Sequence, residues 1–421
     1  MRAKSPWLFI PSLYFQQGLP VILVQQFSVL LYKKLGVANE QILLWTSLLA
    51  WPWIIKMLWG PLVDLTSTKR SWVFSMQVAI ALALVALALA VKTKVFFPLT
   101  LGILLVLAFL SATHDIALDG YYLIALKKNE QAFFLGFCST FFRLAMVFCT
   151  GALVIFAGLW EERGVATVDA WRRTLFVGAL VYGVLVAYAG WAMPIAAEDK
   201  PALAPSKDFA PAAYFEAFKT FFAQDKAIAV LLFILLYRFG ESMVWKTSGL
   251  FMLDSRAAGG LGFDTVQTGA VLGSAGVVAL VLGGMLGGMA VARFGLRRCL
   301  WPMAIMMHVP NLMYVWAAYA QPGTGSMYFI VAVDQFAYGF GLASYMVYTM
   351  YICQATRFQT SHYAIVTALM AAGAMLAGIL SGYLQNQLGY FWFFICVCVL
   401  TIPGMILLNF IPLEQAPVAA T

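Results

Sequence analysis

The sequence predicts an all-α membrane protein, with twelve transmembrane helices in two pseudo-symmetric six-helix halves. Three observations predict it. Of 421 residues, 63% are hydrophobic and only 10% charged, against roughly 25% charged in soluble domains. The apolar residues fall into long runs, each able to cross about 30 Å of hydrocarbon at about 1.5 Å per helical residue. One long polar interruption, residues 196–226, then divides the runs into six and six.

In chain order, the first half (1–195) holds expected spans at residues 8–32, 40–62, 71–91, 96–125, 132–158 and 174–195. The second half (227–421) holds them at 227–252, 266–292, 299–320, 326–355, 361–385 and 389–412. Span one runs on to about Leu31 without a small-residue cleavage site, so no cleavable leader is expected. The linker at 196–226 opens with Glu198, Asp199, Lys200, Pro201, Pro205 and Lys207. Tyr214, Phe215, Phe218, Phe221 and Phe222 then recur at helical spacing, as for a helix lying on a membrane surface. Lysine and arginine are richer on the side holding Lys69, Arg70, Lys127, Lys128, Arg297 and Arg298 than on the side holding Lys33, Lys34, Lys92 and Lys94. That bias places both termini and the linker in the cytoplasm. The net charge of +8 follows from such loops, and no nucleic-acid partner is expected. The cysteines sit singly in apolar runs, without metal-ligand spacing, and read as small buried hydrophobes.

The halves carry a faint repeat. Span two ends in Gly60-Pro-Leu-Val-Asp64 followed by Lys69-Arg70, and span eight ends in Gly288 to Ala292 followed by Arg297-Arg298 at equal spacing. Asp115, Gly120 and Leu123 of span four are matched by Asp334, Gly339 and Leu342 of span ten. A repeat at span n and n+6 argues for two halves related by an axis along the membrane normal.

Ionisable residues inside the spans carry the functional reading. A carboxylate at a helix centre costs about 2.5–3.5 kcal/mol on insertion scales, so it lines a wet cavity or meets a partner. Asp115 and Asp119 are one helical turn apart on span four. With Glu241 and Asp334 they are the candidates to load and release a coupling proton. For Asp115 the alternative is a structural ion pair with Arg143 or Lys56; for Glu241, a static pair with Arg238. Candidates to hold a solute are Gln16, Gln17 and Gln25 of span one, Lys56, His114, Tyr122, Arg143, Arg238 and Lys246. Their cations suit an anionic solute. Asp64 with Lys69 and Arg70 forms a candidate cytoplasmic gate. No P-loop, zinc motif or nucleophile elbow is present, so neither an ATP-driven pump nor an enzyme is expected, and no cofactor or metal. The expected function is a secondary transporter working as a monomer in a bacterial inner membrane. A membrane sensor that does not transport remains the alternative.

The chain resembles the major facilitator superfamily through Gly60-x-Leu-x-Asp64 and Lys69-Arg70, which look like its loop between spans two and three. It is similar more narrowly to the branch of AmpG muropeptide permeases, acetyl-CoA transporters and some siderophore importers. Phe15-Gln-Gln-Gly-Leu-Pro20, Lys56-Met-Leu-Trp-Gly-Pro-Leu-Val-Asp64, Thr113-His-Asp-Ile-Ala-Leu-Asp-Gly120 and Leu236-Tyr-Arg-Phe-Gly240 carry that likeness. His114 stands where the branch usually has glutamine. The resemblance implies proton-coupled movement of a sizeable, anionic, muropeptide-like solute by alternating access, with siderophores and CoA thioesters as the alternatives. Lys56, Asp115 and Asp119 fall on motif positions.

Overall fold

The computed structural model describes residues 5–196, 199, 219–224, 226–354 and 359–413. The linker residues Glu198, Lys200 to Lys207 and Tyr214 to Phe218 lie outside the described residues, as does the side chain of Asp64. The described spans are helical, because a segment in hydrocarbon must satisfy its own backbone N–H and C=O groups. Among the described residues, nine helices are long and apolar enough to cross a membrane.

The difference from twelve lies in interruptions. Residues 39–66 cross in pieces: Asn39–Leu48, Trp51–Ile55, a 3₁₀ turn at Lys56–Leu58, and Gly60–Thr66. Two of these pieces begin with a proline in their first turn, where its missing N–H costs nothing. Span nine divides at Pro310 into Leu296–His308 and Asn311–Ala320. Spans eleven and twelve are joined as Gln359–Ile406, turned at Gly389. The φ of 68° there lies in the left-handed region that glycine enters freely. Spans one and five each widen into a π turn, at Leu23–Phe27 and Val147–Ala152.

Packing differs between the two ends of the bundle. At one end a core built on Leu19, Leu30, Leu84, Leu107 and Val154 also takes in Leu250 of span seven. Spans five and eight cross here with Gly151 against Gly273. A Cβ on Gly151 would lie 2.8 Å from the Gly273 Cα, so only glycine permits this approach. Spans two and eleven cross at the same end, Gly382 against Leu43 and Gly378 against Ser47. At the other end the two described apolar clusters stay apart. One is built on Val63, Leu118, Tyr121 and Ala189, the other on Ile234, Leu300, Tyr345 and Leu408. Among the described residues, then, the two sets of helices meet at the end carrying Gly36 and Gly389 and part at the end carrying Ser67 and Gly295.

Candidate functional site

Between the joined and parted ends lies a cavity of about 500 Å³. Its walls come from both sets of helices: Tyr14, Gln17, Asp119, Phe142 and Arg143 from the first, and Arg238, Glu241, Trp245, Gln335 and Tyr338 from the second.

Span four supplies the carboxylates, and the structure gives them different surroundings. Asp119 opens into the cavity and makes no hydrogen bond or ion pair with any described residue. Asp115, one turn earlier, sits behind the wall. The Lys56 ammonium donates to its Oδ2 and the Gln17 amide donates to its Oδ1. Of the two cations considered for Asp115, Lys56 is the one that meets it. Lys56 stands on the 3₁₀ turn that interrupts span two. The ion pair therefore fixes that broken helix to span four. Trp59 supports the same contact, its indole N–H donating to Thr113 Oγ1 at 3.1 Å.

Two guanidinium groups face the cavity from opposite sets of helices. Arg143 Nη1 is buried and has no hydrogen-bond partner. Arg238 lies against the Tyr338 ring, 5.2 Å from its centroid, and donates through Nη2 to the Tyr338 hydroxyl. No ion pair joins Arg238 to Glu241 among the described residues, and Glu241 Oε2 is likewise unpartnered.

Asp334 lies outside this cavity, in an adjoining chamber of about 40 Å³ that shares Met146, Trp245 and Gln335 with it. Its Oδ2 accepts from Tyr314 OH at 3.4 Å and Gln335 Nε2 at 3.2 Å, and its Oδ1 is unpartnered.

Other sequence candidates are placed elsewhere. Lys246 is buried at the joined end, donating to Gln25 O at 2.9 Å, Gln25 Oε1 at 2.8 Å and Thr46 O at 3.5 Å. Gln26 Nε2 donates to Trp245 O at 3.0 Å. Gln25, Gln26 and Lys246 thus tie span one to span seven rather than lining the cavity. Gln16 turns into the first six helices, donating to Ser12 O at 3.2 Å. His114 is also buried among those helices, with neither ring nitrogen partnered. Tyr122 packs its ring 5.9 Å from that of Tyr14 and donates to Gln131 O, one layer behind the wall.

At the proposed gate, the backbone amides of Lys69 and Arg70 donate to the Asp199 carboxylate at 2.7 and 2.9 Å. A carboxylate at a helix N-terminus takes up amides that have no partner within the helix. The Arg70 side chain reaches Gly190 O at 3.1 Å and Met193 O at 3.3 Å. The joined end carries a second polar group that sequence reasoning did not single out. Lys33 pairs with Asp254. Asn39 Nδ2 and Tyr390 OH donate to Asp254 Oδ2 at 2.7 and 2.6 Å. Lys34 pairs with Glu161 at 3.1 Å, and Thr265 donates to Glu161 Oε2 at 2.6 Å. The available signal was charge at span ends, but nothing in sequence brings residues 33, 39, 254 and 390 together.

The geometry is that of a solute cavity between two sets of membrane helices. Residues 12–361 match the Major Facilitator Superfamily. The chain belongs to the major facilitator superfamily. It is a multi-pass membrane transporter of that superfamily. An uncharacterized protein of Haemophilus influenzae is 28% identical to it over 95% of this chain and 93% of the other. The anhydromuropeptide permease of Escherichia coli is 24% identical over 86% of this chain and 71% of the other. Among solved structures, the nucleoside transporter NupG aligns with a TM-score of 0.68 at 13% identity, covering 95% and 97% of the two chains. A D-xylose-proton symporter aligns with a TM-score of 0.67 at 11% identity, covering 96% and 97%. These two show a shared fold.

Proposed function

We propose that this superfamily member moves a sizeable anionic solute, muropeptide-like in chemistry, across the bacterial inner membrane in exchange for the energy of a proton gradient. The observation that carries the reading is the pair of arginines facing one cavity from opposite halves, the buried Nη1 of Arg143 having no partner among the described residues. A buried guanidinium without a partner is costly, and a bidentate carboxylate or phosphate supplies what it lacks. Tyr14, Phe142, Trp245 and Tyr338 give the same cavity flat apolar faces suited to sugar rings. The likeness to an anhydromuropeptide permease supports the same solute class.

Coupling rests on span four. Asp119 shares the cavity with the solute and takes a proton there. Protonating Asp115 removes the charge that holds Lys56, and so frees the interruption in span two. Linking solute and proton through one conformational equilibrium is what makes the transport coupled. The joined end faces outward and the parted end faces the cytoplasm, together with both termini. A single chain encloses the whole cavity, so the working unit is a monomer.

The test is uptake into proteoliposomes of a labelled anhydromuropeptide under an imposed pH gradient, with a siderophore and a CoA thioester as competitors. Wild-type protein accumulates the muropeptide, and Arg143→Met and Arg238→Met each raise the half-saturating concentration at least tenfold. Uptake that is unaffected by excess muropeptide but blocked by the CoA thioester moves the assignment to that solute. Uptake indifferent to both arginine substitutions removes the anion seat.

A further inference from the structure

A buried polar layer crosses the first six helices at one level. In span three, Val73 belongs to the apolar cluster at the parted end and Ile80 and Leu84 to the core at the joined end; Gln77 lies between them. In span four, Ala117, Leu118, Tyr121 and Tyr122 belong to the first and Leu104, Leu107 and Ala108 to the second; Ser111 and His114 lie between. Spans three and four run antiparallel, and a register that matches both clusters sets Gln77 level with His114. Span one crosses the same gap with Gln16, between Leu13 and Leu19.

Gln16 and Gln77 are 0% exposed, and Ser111 and His114 1%. Gln16 Oε1, both amide atoms of Gln77, Ser111 Oγ and both ring nitrogens of His114 meet no hydrogen-bond partner among the described residues. So many unmet polar atoms in one layer exceed what marginal stability tolerates. Native proteins satisfy such groups with ordered water, each molecule bridging about three of them.

We propose that Gln16, Gln77, Ser111 and His114 line an internal water site, separate from the solute cavity, and that its water delivers the coupling proton to Asp115. The inference rests on the proton-coupled reading above. Gln16 immediately precedes Gln17, and His114 immediately precedes Asp115. The same two helices thus present the water site on one face and the Asp115–Gln17 contact on the next. A proton entering the water chain ends as the O–H of Asp115, the chain itself returns to neutral, and no electron moves. Gln77 and His114 are positioning residues: they hold the water rather than touch the solute.

Two readouts test this with the purified full chain. X-ray radiolytic footprinting in ¹⁸O-water needs no solute. It labels His114 in the wild type, and Gln77→Leu, which replaces the polar lining with apolar bulk, cuts that label at least fivefold while Trp245 in the solute cavity is unchanged. Absence of label at His114 in the wild type overturns the water site. In proteoliposomes, Gln77→Leu lowers proton-driven accumulation of the muropeptide at least tenfold but leaves muropeptide–muropeptide exchange, which needs no net proton movement, within twofold. His114→Gln, which preserves hydrogen bonding, keeps both within threefold and serves as the folding-competent control. Equal loss of driven uptake and exchange in Gln77→Leu, or loss of neither, overturns the relay. A wild type that exchanges muropeptide without proton-driven accumulation sinks the coupling reading and the relay, while the footprint still decides the water site.

Discussion

At the scale of single residues, two carboxylates one turn apart do different work because their neighbours differ. Asp119 is open to the cavity and has no partner among the described residues, whereas Asp115 is held by Lys56 and Gln17. Asp119→Asn is therefore expected to abolish proton-driven uptake while leaving folded protein in the membrane, checked by transport against surface-labelled protein amount. Undiminished, gradient-dependent uptake would take Asp119 out of the mechanism. Lys56 and Asp115, whose contact the coupling proton is proposed to release, should also behave as a stability pair while Asp115 is charged. Lys56 and Asp115 keep 31% and 18% of their side-chain surface, so removing one member costs less than the roughly 3–5 kcal/mol of a fully buried pair, the bare charge left behind being partly solvated. Lys56→Met should lower the thermal midpoint in detergent, and Lys56→Met with Asp115→Leu should recover most of the loss. The sequence displayed these residue types and the shared face of Asp115 and Asp119. Which face of each helix meets the cavity was not legible. Gln25 and Lys246 are as polar as Gln17 and Arg143, yet they meet each other across a buried helix contact. Only the tilt and rotation of span one against span seven separates the two cases, and neither leaves a mark in a single sequence.

At the scale of elements, helix breaks and close crossings set what can move. The long apolar runs were legible because hydrocarbon demands them. The 3₁₀ turn at Lys56–Leu58 was not placed, since the run around it stays apolar and Gly60-Pro61 alone does not say where the helix gives way. The crossing of spans five and eight was equally hidden, because Gly151 and Gly273 are two of 34 glycines. Its physical demand is clear: a side chain on Gly151 meets backbone 2.8 Å away, and backbone cannot yield as a flexible side chain does. Overpacking at such a point costs typically 1–3 kcal/mol. Gly151→Val should thus disfavour the conformation joined at this end without unfolding either set of helices. The expected result is a loss of disulfide cross-linking between cysteines placed at Val154 and Gly269 at the same crossing. Cross-linking at wild-type rate would show that the crossing relaxes around the added methyl groups.

At the scale of the whole molecule, the joined end is where alternating access must do its opposing work. Apolar burial alone would make that closure hard to undo. The contacts there are instead partly polar and partly exposed: Lys33 and Asp254 retain 20% and 13% of their side-chain surface, and Asn39 and Tyr390 converge on the same carboxylate. An isolated exposed pair contributes about 0–1 kcal/mol, and a shared network more. That is enough to bias an equilibrium between two states of similar energy and small enough for solute and proton to reverse it, since about 1.4 kcal/mol shifts populations tenfold. The cluster links residues 33 and 39 of the first set of helices to 254 and 390 of the second, so it must part whenever this end opens. Asp254→Asn, which leaves the hydrogen-bonding shape but removes the charge facing Lys33, should raise the population open at this end about tenfold. A cysteine in place of Ser248, which lines the small chamber beneath the joined end, reports that opening in a background lacking the six native cysteines. Its rate of labelling by a membrane-impermeant thiol reagent, added from the outer side of right-side-out vesicles, should rise by the same factor. The rise should shrink as ionic strength increases in the parent protein, because salt weakens the same ion pair there. A labelling rate unmoved by Asp254→Asn would mean that the small-residue crossings, not the charged cluster, hold the end shut.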